Sequence, residues 1–251
     1  MPIKLIITDL DGCLNPEESI PWDLDLFHEF SKLCRHAADG AGSIPPITLC
    51  TGRPQPYVEA LMKIFDIRLP VICEGGAVVY SLHDNHAQYG LGVTEEKILG
   101  LRAIRAFLET DILPHYPDLL LQFGKEANLS VFSPRPELFA EIVPLVEQFN
   151  REANGPELTI YPSHYYLNIS IAGVDKGSAL QQLLHQVGVA PEEAAGIGDT
   201  EGDLPLRENV AYFACPANAR TAIKDVADYV SPYRDLRGLL DILEQPQLRR
   251  G

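Results

Sequence analysis

The sequence predicts an α/β protein with a doubly wound parallel sheet and an inserted α+β domain. Short apolar runs alternate with helix-period segments at both ends of the chain, as parallel strands joined by helices require. Between residues 83 and 173 strands and helices are mixed without that alternation. We therefore expect a core formed by residues 1–82 and 174–251, and an inserted domain formed by residues 83–173.

The first part of the core follows from short β-branched runs and amphipathic segments. Residues 4–8 form a short β-branched run that ends abruptly at Asp9, which predicts a buried strand. The remaining patterns predict a helix at 24–34, a Gly- and Pro-rich loop at 37–46, a strand at 47–50, a helix at 57–65 and a hairpin with strands at 71–73 and 77–80.

The inserted segment and the last part of the core are predicted in the same way. In the insert we expect helices at 95–109 and 137–149, the second kinked at Pro144, and strands at 119–123, 129–132, 158–161 and 166–171. The core resumes with a helix at 176–187, for which Gly188 is a suitable C-terminal cap. Strands at 194–197 and 210–214 and helices at 218–228 and 235–243 follow.

Composition limits the classes of partner. The chain has 251 residues and a formal charge of −15, so electrostatic repulsion argues against nucleic acid and anionic membranes. No apolar run reaches the roughly 20 residues of a membrane helix, and the N-terminus lacks the pattern of a signal peptide. The five cysteines form no C-x-x-C pair, which argues against zinc. We expect a cytoplasmic protein with reduced thiols.

Polar residues follow three predicted strands of the core. They are Asp9-Leu10-Asp11-Gly12, Thr51-Gly52-Arg53 and Gly198-Asp199. Ligands of open parallel sheets bind outside the carboxyl ends of the strands, where these distant segments would meet. The sequence therefore predicts a site at this edge.

The carboxylates in these segments suit phosphate chemistry with a divalent cation. Asp9 and Asp11 are two apart, so one can attack phosphorus while the other, protonated, donates to the leaving oxygen. Asp199 and Asp203, with Asp9, offer the oxygen ligands that Mg²⁺ favours. An acidic turn after a strand and a solvated acidic loop are the alternatives.

Groups that could bind phosphate lie in two other segments. Thr51 and Gly52 offer a hydroxyl and backbone N–H groups, although ordinary turn chemistry is the favoured explanation of this segment taken alone. Lys176 opens a predicted helix, where it could hold the phosphate and the nucleophilic carboxylate together. Taken alone, it is better explained as a surface lysine.

Together these segments resemble the haloacid dehalogenase superfamily. Residues 9–14 resemble its first motif, residues 51–53 the second, Lys176 the third and residues 198–203 the fourth, in order along the whole chain. The insert resembles the α/β cap of the subgroup that contains Cof-type phosphatases, sucrose-phosphate phosphatase and phosphomannomutase. The resemblance implies a Rossmann-like catalytic core with an inserted cap.

The resemblance also implies a role for each matching residue. Asp9 would form an aspartyl-phosphate, and Asp11 would act as general acid and then as the base that activates water. Mg²⁺ would be held by Asp9, the Asp11 backbone carbonyl and Asp199, with Asp203 in support. The phosphoryl group would be bound by Thr51, Gly52, Lys176 and Asn218.

The chain departs from the family pattern at three positions. Cys13 replaces the usual threonine of the first motif, while Gly202 and Gly75 each stand where many relatives have asparagine. No charged catalytic group is lost. The departures concern metal geometry and the placing within the subgroup.

These residues predict a Mg²⁺-dependent phosphatase acting on a small phosphorylated metabolite. The alternatives are a phosphotransferase of the phosphomutase type, which would use the same site, and a non-enzymatic binding protein. By analogy with the family, phosphoglycolate and sugar phosphates are the leading substrate classes. Lys125, Arg135 and His164 are candidate cap contacts, for which a surface role is the stronger interpretation.

Overall fold

The structure is a computed structural model, and it describes residues 1–16, 20–163 and 165–249. The strands are β1 (Leu5–Thr8), β2 (Ile47–Leu49), β3 (Val71–Cys73), β4 (Val78–Ser81), β5 (His86–Tyr89), β6 (Leu120–Leu121), β7 (Asn128–Phe132), β8 (Leu158–Ser163), β9 (Tyr166–Ile171), β10 (Ala194–Ile197), β11 (Tyr212–Cys215) and β12 (Tyr229–Val230). The helices are α1 (Leu24–Ala38), α2 (Gln55–Phe65), α3 (Glu95–Phe107), α4 (Phe139–Glu152), α5 (Lys176–Val187), α6 (Leu204–Arg207), α7 (Thr221–Lys224) and α8 (Asp235–Leu243).

The chain divides into two compact units. One comprises Met1–Gln88 and Asp175–Gly251, and the other comprises Tyr89–Val174. Within the described ranges, every helix is too short or too polar to cross a bilayer.

The first unit is built on a parallel sheet, which confirms the predicted α/β fold class. Its five strands lie in the order β12-β11-β10-β1-β2, and every neighbouring pair is parallel. Strand β1, which lies between β10 and β2, is buried along its whole length, as expected for a parallel sheet covered on both faces. Strand β3 continues the sheet edge through a parallel bridge between Cys50 and Ile72, and then pairs antiparallel with β4.

Helix ends in this unit follow local capping chemistry. The Asp23 side chain accepts hydrogen bonds from the N–H groups of Asp25 and Leu26 at the start of α1. Helix α5 covers the residues that the sequence predicted. A capping box between Asp175 and Ser178 begins it, and Gly188 ends it at φ 67°.

Several predicted boundaries were wrong, among them three in the first unit. Helix α1 continues to Ala38, beyond the predicted start of the loop at residue 37, because Ala37 packs into the core. The predicted strand at 210–214 begins later, at Tyr212. The predicted helix at 218–228 shortens to α7, and the chain then returns to the sheet as β12, which the sequence did not predict.

The second unit contains a four-stranded antiparallel sheet in the order β6-β7-β9-β8. One face is apolar, and Leu129, Val131, Leu167 and Ile169 on it are almost fully buried. Helices α3 and α4 belong to this unit, and the rings of Phe107 and Phe149 stack with their centroids 4.4 Å apart. Pro144 lies inside α4, which runs without a break.

Candidate active site

Asp9 directly follows β1 and is almost fully buried. Its backbone N–H donates to the carbonyl of Ile197 at 2.9 Å, which continues the pairing of β1 with β10. Its Oδ1 atom accepts a hydrogen bond from the N–H of Leu10 at 2.7 Å. The carboxylate is therefore held at the carboxyl edge of the sheet.

The chain turns tightly after Asp9. The N–H groups of Leu14 and Asn15 both donate to the carbonyl of Leu10, at 2.8 and 2.7 Å. Gly12 sits in this turn at φ 79°, and a Cβ atom there would lie 2.0 Å from Asp199 Oδ2. Glycine is required both by the left-handed backbone and by the close approach of the Asp199 carboxylate.

A second acidic loop follows β10. Asp203 is completely buried, and its Oδ2 atom accepts from the N–H groups of Asp199 at 3.0 Å and Thr200 at 3.1 Å. A Cβ on Gly198 would lie 2.4 Å from Asp203 Cβ, so glycine makes room for this fold of the loop. Asp203 thus shapes the loop that carries Asp199.

Lys176, the first residue of α5, joins these loops. Its Nζ atom lies 2.8 Å from Asp9 Oδ2 and 2.6 Å from Asp203 Oδ1. The ammonium therefore bridges carboxylates that are separated by almost the whole sequence. The structure brings together Asp9, Lys176, Asp199 and Asp203, which the sequence had placed in one predicted site.

Burial and charge act against each other in this cluster. Burial, opposed by Lys176 and reinforced by Asp203, raises the pKa of Asp9 to about 7. Burial also favours the neutral form of Lys176, but the carboxylates of Asp203 and Asp9 outweigh it and hold the pKa of this lysine well above its ordinary value. The single positive charge of Lys176 is thus outnumbered by the carboxylates of Asp9, Asp199 and Asp203 around it.

The donor set fits a hard divalent cation. Asp9, Asp199 and Asp203 are buried, and each offers a carboxylate oxygen within 4.8 Å of the others. Mg²⁺ prefers oxygen ligands and is usually held by one or two carboxylates together with waters. Lys176 and a backbone N–H already bind the two oxygens of Asp9 and those of Asp203, so an ion at this site would share these carboxylates with the lysine.

Asp11 has a partner that the sequence analysis did not identify. Arg53 Nε donates to its Oδ2 atom and Nη2 to its Oδ1 atom, both at 2.7 Å. Both side chains are about one-third exposed. The Thr51-Gly52-Arg53 motif supplied the arginine, but nothing in it indicated which carboxylate the arginine would meet.

The Thr51–Arg53 segment is anchored beside Asp9. Cys50 N–H donates to the carbonyl of Thr8 at 2.9 Å, which aligns the ends of β2 and β1. Thr51 is fully buried, and its hydroxyl accepts from the N–H of Arg53 at 3.1 Å. Gly52 is exposed, with open space where a side chain would be.

Asn218 is engaged with the backbone. Its Nδ2 atom donates to the carbonyl of Gly12 at 2.7 Å, and its Oδ1 atom accepts from the N–H of Asp235 at 2.8 Å. It therefore ties the turn after Asp9 to the start of α8. Phosphate binding by Asn218 stays a prediction.

The remaining predicted residues lie as follows. Lys125, in the second unit, is buried and donates to Ser130 Oγ at 2.7 Å, so the surface interpretation was wrong for this residue. Arg135 is exposed and pairs with Asp118 at 2.5 Å. His164 lies outside the described residues. Of the departures from the family pattern, Cys13 is fully buried and Gly75 adopts φ 68°.

Comparisons with known proteins find a family model that matches part of the chain and relatives that match nearly all of it. The model of the haloacid dehalogenase-like hydrolase family matches residues 122–243. The phosphoglycolate phosphatase of Archaeoglobus fulgidus is 28% identical over 242 residues, 96% of each chain. That of Thermoplasma volcanium is 27% identical over 236 residues, 92% of each chain.

Solved structures show the same fold. A crystal structure from Thermoplasma acidophilum matches with a TM-score of 0.72 at 24% identity, covering 97% of this chain and 98% of that one. A haloacid dehalogenase-like hydrolase from Bacteroides thetaiotaomicron matches with a TM-score of 0.70 at 18% identity, covering 96% of this chain and 98% of that one.

Proposed function

We propose that this chain, which belongs to the haloacid dehalogenase-like hydrolases, is a Mg²⁺-dependent phosphatase that transfers the phosphoryl group of a small phosphate monoester to Asp9 and then to water. The observation that carries the proposal is the buried cluster in which Lys176 pairs with Asp9 and Asp203 while Asp199 lies beside them. An excess of buried negative charge beside a single lysine suits a site that is completed by a divalent cation.

In the first half of the reaction, an Asp9 carboxylate oxygen attacks phosphorus. The bond from phosphorus to the ester oxygen breaks, and Asp11 gives that oxygen a proton. Lys176, 2.8 Å from Asp9 Oδ2, holds the nucleophile in place and offsets part of the charge of the arriving phosphoryl group. Mg²⁺, when bound by Asp9, Asp199 and the Asp11 carbonyl, supplies further positive charge to the phosphoryl oxygens.

In the second half, water attacks the phosphorus of the aspartyl-phosphate. Asp11 takes a proton from that water, the bond between phosphorus and the Asp9 oxygen breaks, and inorganic phosphate leaves. Asp9 and Asp11 return to their starting states, so the cycle needs no other reactant. Thr51 and Gly52 bind the phosphoryl oxygens, a role that is supported by their position after β2, the strand next to β1.

The leading candidate substrate is phosphoglycolate, because the two relatives described above are named phosphoglycolate phosphatases. Sugar phosphates are the second class, by analogy with the family. Both are small anions that a cation-completed acidic site can accept despite the net charge of −15.

A panel of phosphorylated metabolites tests the proposal. Phosphate release is measured with Mg²⁺ and with EDTA, for the wild type, for Asp9→Asn and for the control Asp84→Asn in an exposed turn. We expect phosphate release only with Mg²⁺, and only from the wild type and from Asp84→Asn. Release by Asp9→Asn at the wild-type rate would refute the proposal.

A further inference from the structure

Arg53 is linked to the loop that carries Asp11 by a second route as well, through Tyr57 and Asn15. The Arg53 guanidinium carbon lies 5.2 Å from the centre of the Tyr57 ring, a cation–π distance. The Tyr57 hydroxyl accepts a hydrogen bond from Asn15 Nδ2 at 3.0 Å. Asn15 belongs to the loop that carries Asp11. Arg53, Tyr57 and Asn15 therefore connect back to the loop whose carboxylate Arg53 binds.

Hydrogen bonds fix the backbone of both segments that carry this pair, the loop after Asp9 and the segment at Arg53. The carbonyl of Asn15 accepts from the N–H of Gly12 at 2.8 Å, within the nucleophile loop. The N–H of Arg53 donates to Thr51 Oγ1, and its carbonyl accepts from the N–H of Glu74 at 3.0 Å. The guanidinium therefore projects from an anchored main chain onto a carboxylate in an anchored turn.

The two-pronged geometry limits what the Asp11 side chain can do. Each carboxylate oxygen receives its own N–H, which fixes the rotation of the carboxylate as well as its position. A lysine, with a single ammonium group, cannot fix that rotation. The pair is partly exposed, so it adds little to the stability of the whole fold. What the pair determines is the local orientation of the Asp11 carboxylate.

We propose that Arg53 is a positioning residue that sets the orientation of Asp11 beside Asp9. The proposal rests on the proposed function, in which Asp11 handles protons at the ester oxygen and at water. Arg53 acts through Asp11 and takes no part in bond making. A positioned acid–base group contributes about 10²–10⁴ in rate, and a misplacement of about 1 Å can remove about 10² of it.

The test compares Arg53→Met and Arg53→Lys with the matched control Arg68→Met. Arg68 forms the same two-pronged contact with Asp66 on the surface, with Nε–Oδ1 at 3.2 Å and Nη2–Oδ2 at 2.6 Å. We expect Arg53→Met to lower kcat by about 10- to 100-fold with KM and the melting temperature nearly unchanged. Arg53→Lys should not restore kcat, and Arg68→Met should match the wild type.

A double-mutant cycle separates action through Asp11 from any other role. In the Asp11→Asn background, Arg53→Met should cause no further loss of kcat, because the carboxylate that it positions is gone. Equal losses in both backgrounds, or a kcat for Arg53→Met equal to that of Arg68→Met, would overturn the proposal. Asp9→Asn is assayed in parallel, so that failure of the proposed function is seen separately.

A measurement that needs no activity tests the pairing itself. The Nε–Hε NMR signal of Arg53, assigned by its loss in Arg53→Met, should shift in Asp11→Asn and stay in place in Asp66→Asn. An Arg53 signal that does not respond to Asp11→Asn would overturn the proposal even in a chain that hydrolyses no tested ester.

Discussion

The Lys176 ammonium lies 2.8 Å from the Asp9 carboxylate in a part of the core that is nearly closed to water. The contact joins the first residue of α5 to the residue after β1 and sits where α5 begins against the sheet edge. It neutralises part of the charge that the proposed nucleophile brings into the interior.

Replacing Lys176 should lower the free energy of unfolding of the protein. In Lys176→Met, Asp9 and Asp203 are left buried without their cation, and we expect a loss of about 3–5 kcal/mol in the free energy of unfolding by urea. The control is Lys4→Met, which breaks an exposed pair with Glu193 and should change little. A Lys176→Met variant as stable as Lys4→Met would show that the cluster does not depend on the ammonium.

Neutralising Asp9 should stabilise the metal-free fold. The pKa of Asp9 is raised from 3.8 to about 7, so the folded state binds this proton more tightly than the unfolded chain does. Stability contributed by the protonated form is present at low pH and is lost as pH rises through about 7. In EDTA, Asp9→Asn should therefore exceed the wild type by roughly 4 kcal/mol at pH 8.

The pH profile of that difference is the check. Urea unfolding of both proteins across pH 4–8 should give nearly equal stabilities at the acid end and a gap that widens up to about pH 7. A gap that narrows toward pH 8 would mean that the Asp9 carboxylate is stabilised in its ionised form without a metal.

Magnesium should stabilise the wild type and lose that effect when Asp199 is changed. An ion that binds only the folded state adds about 2.7 kcal/mol at 100 times its Kd. Thermal unfolding with Mg²⁺ and with EDTA should show this shift for the wild type and for Asp84→Asn, and a much smaller one for Asp199→Asn. Equal shifts in all three proteins would place the ion elsewhere.

Gly12 should tolerate no side chain. Its φ is 79°, and a Cβ at this position would lie 2.0 Å from Asp199 Oδ2, so alanine adds backbone strain and displaces the carboxylate. We expect Gly12→Ala to cost about 2–4 kcal/mol and to abolish the Mg²⁺-dependent thermal shift. Gly188→Ala is the matched control, since Gly188 has φ 67° but open space around it, and should cost about 1 kcal/mol while keeping the shift.

Local signals predicted the parts of the fold that local chemistry determines. Helix α5 has its own start and stop signals in Asp175 and Gly188, and β1 is a continuous apolar run, so both were predicted closely. The segment after β11 was not. There Asn218 bonds to Gly12 and Asp235, and Asp228 Oδ2 accepts from Phe213 N–H at 2.8 Å, so distant contacts overrule helix propensity.

The same distinction applies to the candidate site. Strand ends in a parallel sheet must meet, so the sequence predicted that Asp9 and Asp199 would lie together, and the family resemblance added Lys176, which opens a helix. The pairing of Asp11 with Arg53 depends on the rotamers of two partly exposed side chains, which no sequence pattern encodes. The close approach of Asp199 to Gly12 likewise appears only in three dimensions.

The most direct test of the central claim is to look for the phosphoryl group on Asp9. The wild type is mixed with Mg²⁺ and its best substrate, quenched in acid during turnover, digested and analysed by mass spectrometry. We predict that the peptide containing Asp9 carries the added mass of one phosphoryl group and that the modified residue is Asp9. A phosphoryl group on another residue, or rapid phosphate release without any phosphorylated peptide, would contradict the account.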